Sequence, residues 1–230
     1  MLTASDVMTT EVITVTPETS IHDIATLLHT KHISGVPVVT TDKTVIGIVS
    51  EGDLITHAEV VGERRRSWWL QLFDDQSALA RVYAKTHGRV ARDVMTSSVI
   101  TVSPAATLAE IAKLLEDNRI KRVPVVRDGK LAGIITRGNL LQALATADVS
   151  KPASIDDRAI RERLLTDLSG QPWANLDLKN IVVQDGVVHL WGYVETEEQR
   201  RALRLAAQNV PGVKTVEDHL KRYHMPVAYE

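Results

Sequence analysis

The sequence lacks cysteine altogether, and only one phenylalanine occurs among its 230 residues. The absence of cysteine excludes disulfide bonds, thiolate metal sites and a cysteine nucleophile, and it fits a reducing compartment. No apolar stretch approaches the roughly 18 residues that a membrane-spanning helix needs. The first residues, MLTASD, have neither the basic start nor the apolar run of a secretory signal. We therefore expect a cytoplasmic protein.

An excess of charge of either sign is missing as well. The 27 Lys and Arg residues face 29 Asp and Glu residues, so no general attraction to nucleic acid is expected and any bound anion needs a local site. Walker loops, dinucleotide-binding glycine motifs and Ser-His-Asp arrangements are not found. His22, His29 and His32 have helical spacing but no third ligand, so we predict no metal site. The chain is predicted to be neither an enzyme nor a carrier of a covalent cofactor.

An internal repeat organises the first two-thirds of the chain. Residues 6–9 (DVMT) return as residues 93–96, 87 positions later. The same offset relates residues 12–17 to 99–104 and residues 36–39 to 123–126. After a one-residue deletion, residues 47–54 (GIVSEGDL) match residues 133–140 (GIITRGNL). Four blocks in constant order indicate two homologous copies.

Each copy predicts the order strand, helix, strand, strand, helix. In the first copy a short strand covers Ile13 to Val15, and Thr19 or Ser20 caps the following helix. Two β-branched runs at 36–39 and 45–49 predict a hairpin, and a short helix follows Ser50. A copy of about fifty residues buries too little core alone. We therefore expect the copies to pack about a pseudo-twofold axis that leaves two related clefts.

These blocks resemble the cystathionine β-synthase (CBS) domain pair. The resemblance assigns residues 1–56 and 91–147 to the two repeats and leaves residues 57–90 as an inserted helical segment. It implies a regulatory, signalling module that binds an adenine nucleotide (AMP, ADP, ATP) or S-adenosylmethionine in the clefts. It also implies a homodimer.

The family's nucleotide motif is a glycine, then Ser or Thr, then Asp three positions on. Gly47, Ser50 and Asp53 match it in the first copy, whereas the second copy has Thr136 and Asn139. A hydroxyl at a helix N-terminus suits phosphate, and a carboxylate accepts hydrogen bonds from a ribose diol more strongly than an amide does. The alternative is that Ser50 and Thr136 act as ordinary helix caps.

The second copy supplies the cations for a phosphate. Lys121 and Arg122 precede its Val-Pro-Val block, where the first copy has Ser34 and Gly35. The better sugar ligand and the better phosphate ligands thus lie in different copies, which predicts one occupied cleft or two of unequal affinity. The resemblance places the adenine base against apolar residues: Ile33, Val36 and Pro37 in the first copy, or Val123 and Pro124 in the second.

The inserted segment contains three arginines and two tryptophans at residues 64–69. It fits a basic amphipathic helix on a membrane surface or an acidic partner. It also fits a helix packed on the CBS pair or at a dimer interface, where Trp and Arg are enriched, and we favour this second interpretation.

The last third reads as a separate domain after a linker at residues 148–153. A helix capped by Asp156 or Asp157, a hairpin turning at residues 185–186, a helix at 197–209 and a strand at 213–220 give an αββαβ order. Residues 186–194 and 210–216 resemble the BON (bacterial OsmY and nodulation) domain, here over residues 154–222, followed by a tail at 223–230. That resemblance implies a protein or phospholipid partner. The fold prediction is an α/β CBS pair plus a small α+β domain, acting as a nucleotide sensor or, alternatively, as a ligand-free adaptor or peripheral phospholipid-binding protein.

Overall fold

The computed structural model describes residues 1–55, 88–176 and 179–222. Its helices are α1 (Ala4–Val7), α2 (Ile21–Lys31), α3 (Ala91–Val94), α4 (Leu108–Asp117), α5 (Arg137–Thr146), α6 (Ile155–Ser169) and α7 (Glu197–Gln208). Its strands are β1 (Gly35–Val39), β2 (Val45–Ser50), β3 (Arg122–Arg127), β4 (Lys130–Thr136), β5 (Lys179–Gln184), β6 (Val187–Val194) and β7 (Thr215–Arg222). Residues 51–55 are also helical. The mixed α/β character predicted from the sequence is confirmed.

The described residues form two compact units that do not follow the order of the repeats. The first-repeat unit comprises Ile13–Ile100 with Asp128–Leu131. The second-repeat unit comprises Met1–Val12, Thr101–Arg127 and Ala132–Glu230, and so includes the C-terminal domain. Each repeated DVMT block is therefore grouped with the hairpin of the other copy. The first two residues of each block end a four-residue helix, α1 or α3. A helix of four residues is too short to predict from periodicity.

In the first-repeat unit, β1 and β2 pair antiparallel with Gly35 opposite Ser50. The helix α2 begins after Ser20, whose Oγ accepts from the Asp23 N–H at 3.0 Å. Its apolar face packs with the hairpin in a core that includes Ile24, Leu28 and Val49. Of the two predicted caps, Thr19 and Ser20, the structure therefore has Ser20.

The predicted strand from Ile13 to Val15 is wrong. Only Val15 pairs, in a single parallel bridge to Val38. The Val15 N–H donates to the Pro37 carbonyl at 3.1 Å, and the Val15 carbonyl accepts from the Val39 N–H at 2.9 Å. The chain then turns, because the Thr19 N–H donates to the Thr16 carbonyl at 3.1 Å. This turn stops the ladder after one residue.

The C-terminal domain has the predicted order of one helix, two strands, one helix and one strand. Its sheet runs β5-β6-β7, with β5 antiparallel and β7 parallel to β6. The parallel pair is joined by the crossover helix α7, as parallel neighbours require. One sheet face packs on α6 and α7 through a core that includes Leu164, Leu190 and Leu203.

Two boundaries in this domain differ from the sequence prediction. The cap of α6 is Ser154 and neither aspartate, since its Oγ accepts from the Asp157 N–H at 3.0 Å. Asp157 instead accepts from the N–H groups of Asp185 and Gly186 at 3.1 and 2.8 Å, which ties the hairpin turn to the helix start. The strand β7 begins at Thr215, because Val213 still belongs to a turn closed on Val210 at 3.2 Å.

The basic and tryptophan-rich stretch at 64–69 lies outside the described residues. Of the inserted segment, residues 88–90 are described, and there Val90 forms a bridge with Ser20. Among the described helices, none is both long enough and apolar enough to span a bilayer.

Candidate functional site

The first ligand motif, residues 47–53, lies at the end of β2 and the helical turn that follows. Ser50 closes the strand, and both its N–H and its hydroxyl donate to Oδ2 of Asp53, at 3.0 and 2.7 Å. The Glu51 N–H donates to the Ser34 carbonyl at 3.1 Å, which joins the start of this turn to the chain just before β1. The structure thus brings the predicted hydroxyl and carboxylate together at a helix start. The bond from the Ser50 N–H to Asp53 is also the reciprocal half of a capping box, as the alternative prediction of a helix cap requires.

Close packing explains the glycines of the two motifs. A Cβ at Gly47 would overlap the side chain of Met95, and a Cβ at Gly133 would lie 2.5 Å from Sδ of Met8. Each methionine belongs to the repeated DVMT block of the other copy. Met8 and Met95 therefore pack against the two ligand motifs, which the sequence analysis did not predict. The signal for them was their repetition at the 87-residue offset.

The apolar candidates differ in exposure. Ile33 is half-buried and retains accessible surface. The others lie in the strands β1 and β3 and are buried: Val36, Pro37, Val123 and Pro124. Of the five, Ile33 is therefore the side chain best placed to contact a bound base.

The second ligand motif, residues 133–139, repeats the backbone arrangement of the first. The N–H and hydroxyl of Thr136 donate to Oδ1 of Asn139, at 2.8 and 2.7 Å. The Arg137 N–H donates to the Lys121 carbonyl at 3.2 Å, as Glu51 does to Ser34. The cap geometry is therefore the same in both copies.

Asn139 also binds residues outside the second motif. Its side chain is only 4% exposed. Its Nδ2 donates to the Val7 carbonyl at 3.3 Å and to Oγ1 of Thr9 at 3.4 Å. The amide orientation is determined, because a peptide carbonyl only accepts and the Thr136 N–H only donates. Both ends of this amide are engaged within the second-repeat unit.

The predicted phosphate cations belong to the second-repeat unit. Lys121 is exposed and Arg122 is the half-buried first residue of β3. Position 122 corresponds to Gly35, where an added Cβ would lie 2.9 Å from the Val49 carbonyl oxygen. The first repeat therefore has no room for a side chain where the second has an arginine. Joint use of these cations with Ser50 and Asp53 by one ligand stays a prediction.

No group of three or more His, Asp or Glu side chains in the described part of the chain is arranged to hold a metal ion. His29 and His32, considered in the sequence, have ring centroids 6.3 Å apart.

Comparison with known proteins agrees with this architecture. The CBS domain model matches residues 4–59 and 91–146, and the BON domain model matches residues 156–222. The CBS domain-containing protein CBSX2, chloroplastic, of Arabidopsis thaliana is 36% identical over 137 residues, which are 56% of this chain and 57% of that protein. Protein MJ1426 of Methanocaldococcus jannaschii is 37% identical over 137 residues, which cover 53% of this chain and 79% of that protein. The chain thus spans little more than half of the plant relative.

Two further comparisons bear on function. A crystal structure of CBSX2 in complex with AMP has a TM-score of 0.55 and 35% identity, and the match covers 63% of this chain and 97% of that one. Inosine-5'-monophosphate dehydrogenase of Thermoplasma acidophilum is 31% identical over 142 residues, which are 61% of this chain but 23% of the enzyme. The predicted domain order is confirmed: the chain belongs to the CBS domain-containing proteins, with two CBS domains followed by a BON domain.

Proposed function

We propose that this protein is a regulatory sensor that binds an adenine nucleotide, with AMP as the first candidate, at the first ligand motif. The observation that carries the proposal is the pairing of Ser50 and Asp53 at a helix start, at 2.7 Å between hydroxyl and carboxylate. The similarity to CBSX2, whose crystal structure contains AMP, supports the choice of ligand.

The chemistry of the motif suits a ribonucleotide. A carboxylate presents two acceptor oxygens, which suit the two hydroxyls of a ribose diol. The N-terminus of the helical turn favours negative charge, which suits the phosphate. Ile33, in the same unit as Ser50 and Asp53, supplies apolar surface for the base.

We infer a regulatory and not a catalytic role. The match to the dehydrogenase covers 23% of that enzyme, which supports a module shared between proteins of different activity. Ligand binding would act by shifting the population of conformations that the chain presents to a partner. The BON domain, for which the sequence predicts a protein or phospholipid partner, is the candidate output.

Calorimetric titration with AMP, ATP and S-adenosylmethionine tests the proposal. We expect AMP to bind the wild-type protein. Asp53→Ala should raise the Kd for AMP about tenfold, which corresponds to a loss of about 1.4 kcal/mol in binding free energy. Asp42→Asn is the matched control, since it removes a carboxylate at the exposed turn of the same hairpin and should bind as wild type does. A folded wild-type protein that gives no heat with any of the three ligands would overturn the proposal. Salt-sensitive sedimentation with anionic liposomes would then favour the adaptor alternative.

We also propose a homodimer. Leu141 and Leu144 lie one turn apart on α5 and are 66% and 62% exposed, an arrangement that favours a covering partner. Light scattering should give twice the 25.4 kDa of the chain. The double variant Leu141→Glu, Leu144→Glu should give a monomer, whereas Leu205→Glu, an exposed leucine on α7, should not. A monomeric wild-type protein would contradict the dimer.

A further inference from the structure

Residues 3–9, which we call the N-terminal strap, are held by the C-terminal domain through an ion pair. Arg158 of α6 donates from Nε to Oδ1 of Asp6 at 2.8 Å and from Nη2 to Oδ2 at 3.2 Å. Asp6 is only 4% exposed. Its counterpart in the second copy, Asp93, accepts from the backbone N–H groups of Arg89 and Val90 and has no arginine side chain as a partner among the described residues. The ion pair is therefore an addition to the first copy of the block.

A buried arginine, Arg161, binds the N-terminal strap at a second residue, Met8. Arg161 is 8% exposed, and it donates from Nη2 to the Met8 carbonyl at 2.6 Å and from Nε to the Ile181 carbonyl at 2.9 Å. Burial lowers the pKa of Arg161 to about 10, while the nearby Asp6 charge opposes that change. A cation buried this deeply is stable only if its donors are satisfied, so the position of Met8 is strictly defined.

The second ligand motif also binds the N-terminal strap. Asn139 donates to the Val7 carbonyl and to the Thr9 hydroxyl, at 3.3 and 3.4 Å. The Thr9 backbone exchanges two hydrogen bonds with Ile134 of β4, at 3.0 and 2.9 Å. Three consecutive strap residues are thus bound alternately, Val7 and Thr9 by the second repeat and Met8 by the BON domain.

We propose that Asn139 is a latch: the second ligand motif positions the strap that anchors the BON domain, and it gives up ribose binding to do so. An aspartate at position 139 would lack the Nδ2 donor and would face the Val7 carbonyl with a negative charge. The motif would then regain the family's sugar-binding carboxylate and would lose its hold on the strap. The ribose part of this inference rests on the proposed function, whereas the anchoring part does not.

Hydrogen exchange of the full-length, ligand-free chain tests the anchoring. Asn139→Asp should accelerate exchange in the strap and in the first half of α6 by about tenfold, because a buried hydrogen-bonded contact is lost. Asp53→Asn, the reciprocal change in the first motif, should leave α6 unchanged. Thr9→Val removes one latch acceptor without a new charge, and it should accelerate α6 exchange by a smaller factor even if Asn139→Asp fails to fold. Unchanged α6 exchange in both Asn139→Asp and Thr9→Val would overturn the latch.

Calorimetry with AMP tests the ribose part. The wild-type protein should bind one AMP per chain, and Asn139→Asp should bind two. A ratio that stays at one in Asn139→Asp overturns the claim that the latch excludes ribose. If the wild-type protein binds no AMP at all, the proposed function fails, and the exchange experiment still decides the anchoring.

Discussion

The two ligand motifs share the same hydrogen bonds at the helix start, but the last side chain of one is a carboxylate and that of the other is an amide. In the first motif, Asp53 turns a carboxylate toward Ser50. In the second, Asn139 uses its carbonyl for the cap and its amide for the strap. The comparison teaches that a repeated motif can keep its local structure while an amide in place of a carboxylate donates to a distant segment of the chain. The changed copy is the one grouped with the BON domain.

The largest expected effect concerns Arg161, which binds the N-terminal strap within the second-repeat unit. Arg161→Ala leaves the carbonyls of Met8 and Ile181 buried without a donor and opens a cavity, so we expect a loss of about 3 kcal/mol in the free energy of unfolding. Arg163→Ala, two positions along α6 and exposed, breaks only an i,i+4 pair with Asp167 and should cost less than about 0.5 kcal/mol. Urea denaturation measures both. Equal effects would contradict the anchoring role of Arg161.

Much of the local structure could be predicted from the sequence. The contacts of Arg161 and Asn139 with the N-terminal strap could not. The hairpins, the αββαβ order and the approach of Ser50 to Asp53 follow from alternation, turn residues and a four-residue motif, which are local. The role of Arg161 does not, because an arginine between the apolar positions Ile160 and Leu164 reads as solvent-facing until the strap is placed against it. Asn139 was interpreted as a weaker ribose ligand, since its Val7 partner lies 132 residues away. The cap at Ser154 was missed because serine and aspartate are both good caps, and the hydrogen bond to Asp157 decides between them.

A smaller change in the free energy of unfolding is expected for alanine substitutions of Gly47 and Gly133, and it should differ between the two. Gly133→Ala would place its Cβ 2.9 Å from the Thr9 carbonyl oxygen as well as against Met8, whereas Gly47→Ala meets the flexible Met95 side chain. We expect Gly133→Ala to destabilise by about 2 kcal/mol and Gly47→Ala by about 1 kcal/mol. Trimming Met95 to alanine should relieve the first-repeat clash in a double-mutant cycle. A Gly47→Ala cost that is unchanged by Met95→Ala would contradict the packing explanation.

The smallest effect is a pH dependence that belongs to Asp6. Burial alone would raise the pKa of Asp6, but hydrogen bonds from Arg158 and Thr3 outweigh it and hold that pKa below 3.8. The ion pair therefore stabilises the protein above pH 3.8, and this contribution is lost as the pH falls through the lower pKa of the folded state. Arg158→Ala should cost about 1 kcal/mol at neutral pH, since the arginine is half-exposed. Urea unfolding of the variant and the wild type should converge in acid, and a constant difference down to that range would exclude Asp6 as the group responsible.

The most direct test of the account follows four glycine amides by NMR during an AMP titration. Gly47 and Gly52 report on the first motif, and Gly133 and Gly138 occupy the equivalent positions in the second. We expect the signals of Gly47 and Gly52 to shift with saturation at one AMP per chain, while those of Gly133 and Gly138 stay nearly unchanged. Saturable shifts at Gly133 and Gly138 with none at Gly47 and Gly52 would contradict the assignment of the first motif as the nucleotide site.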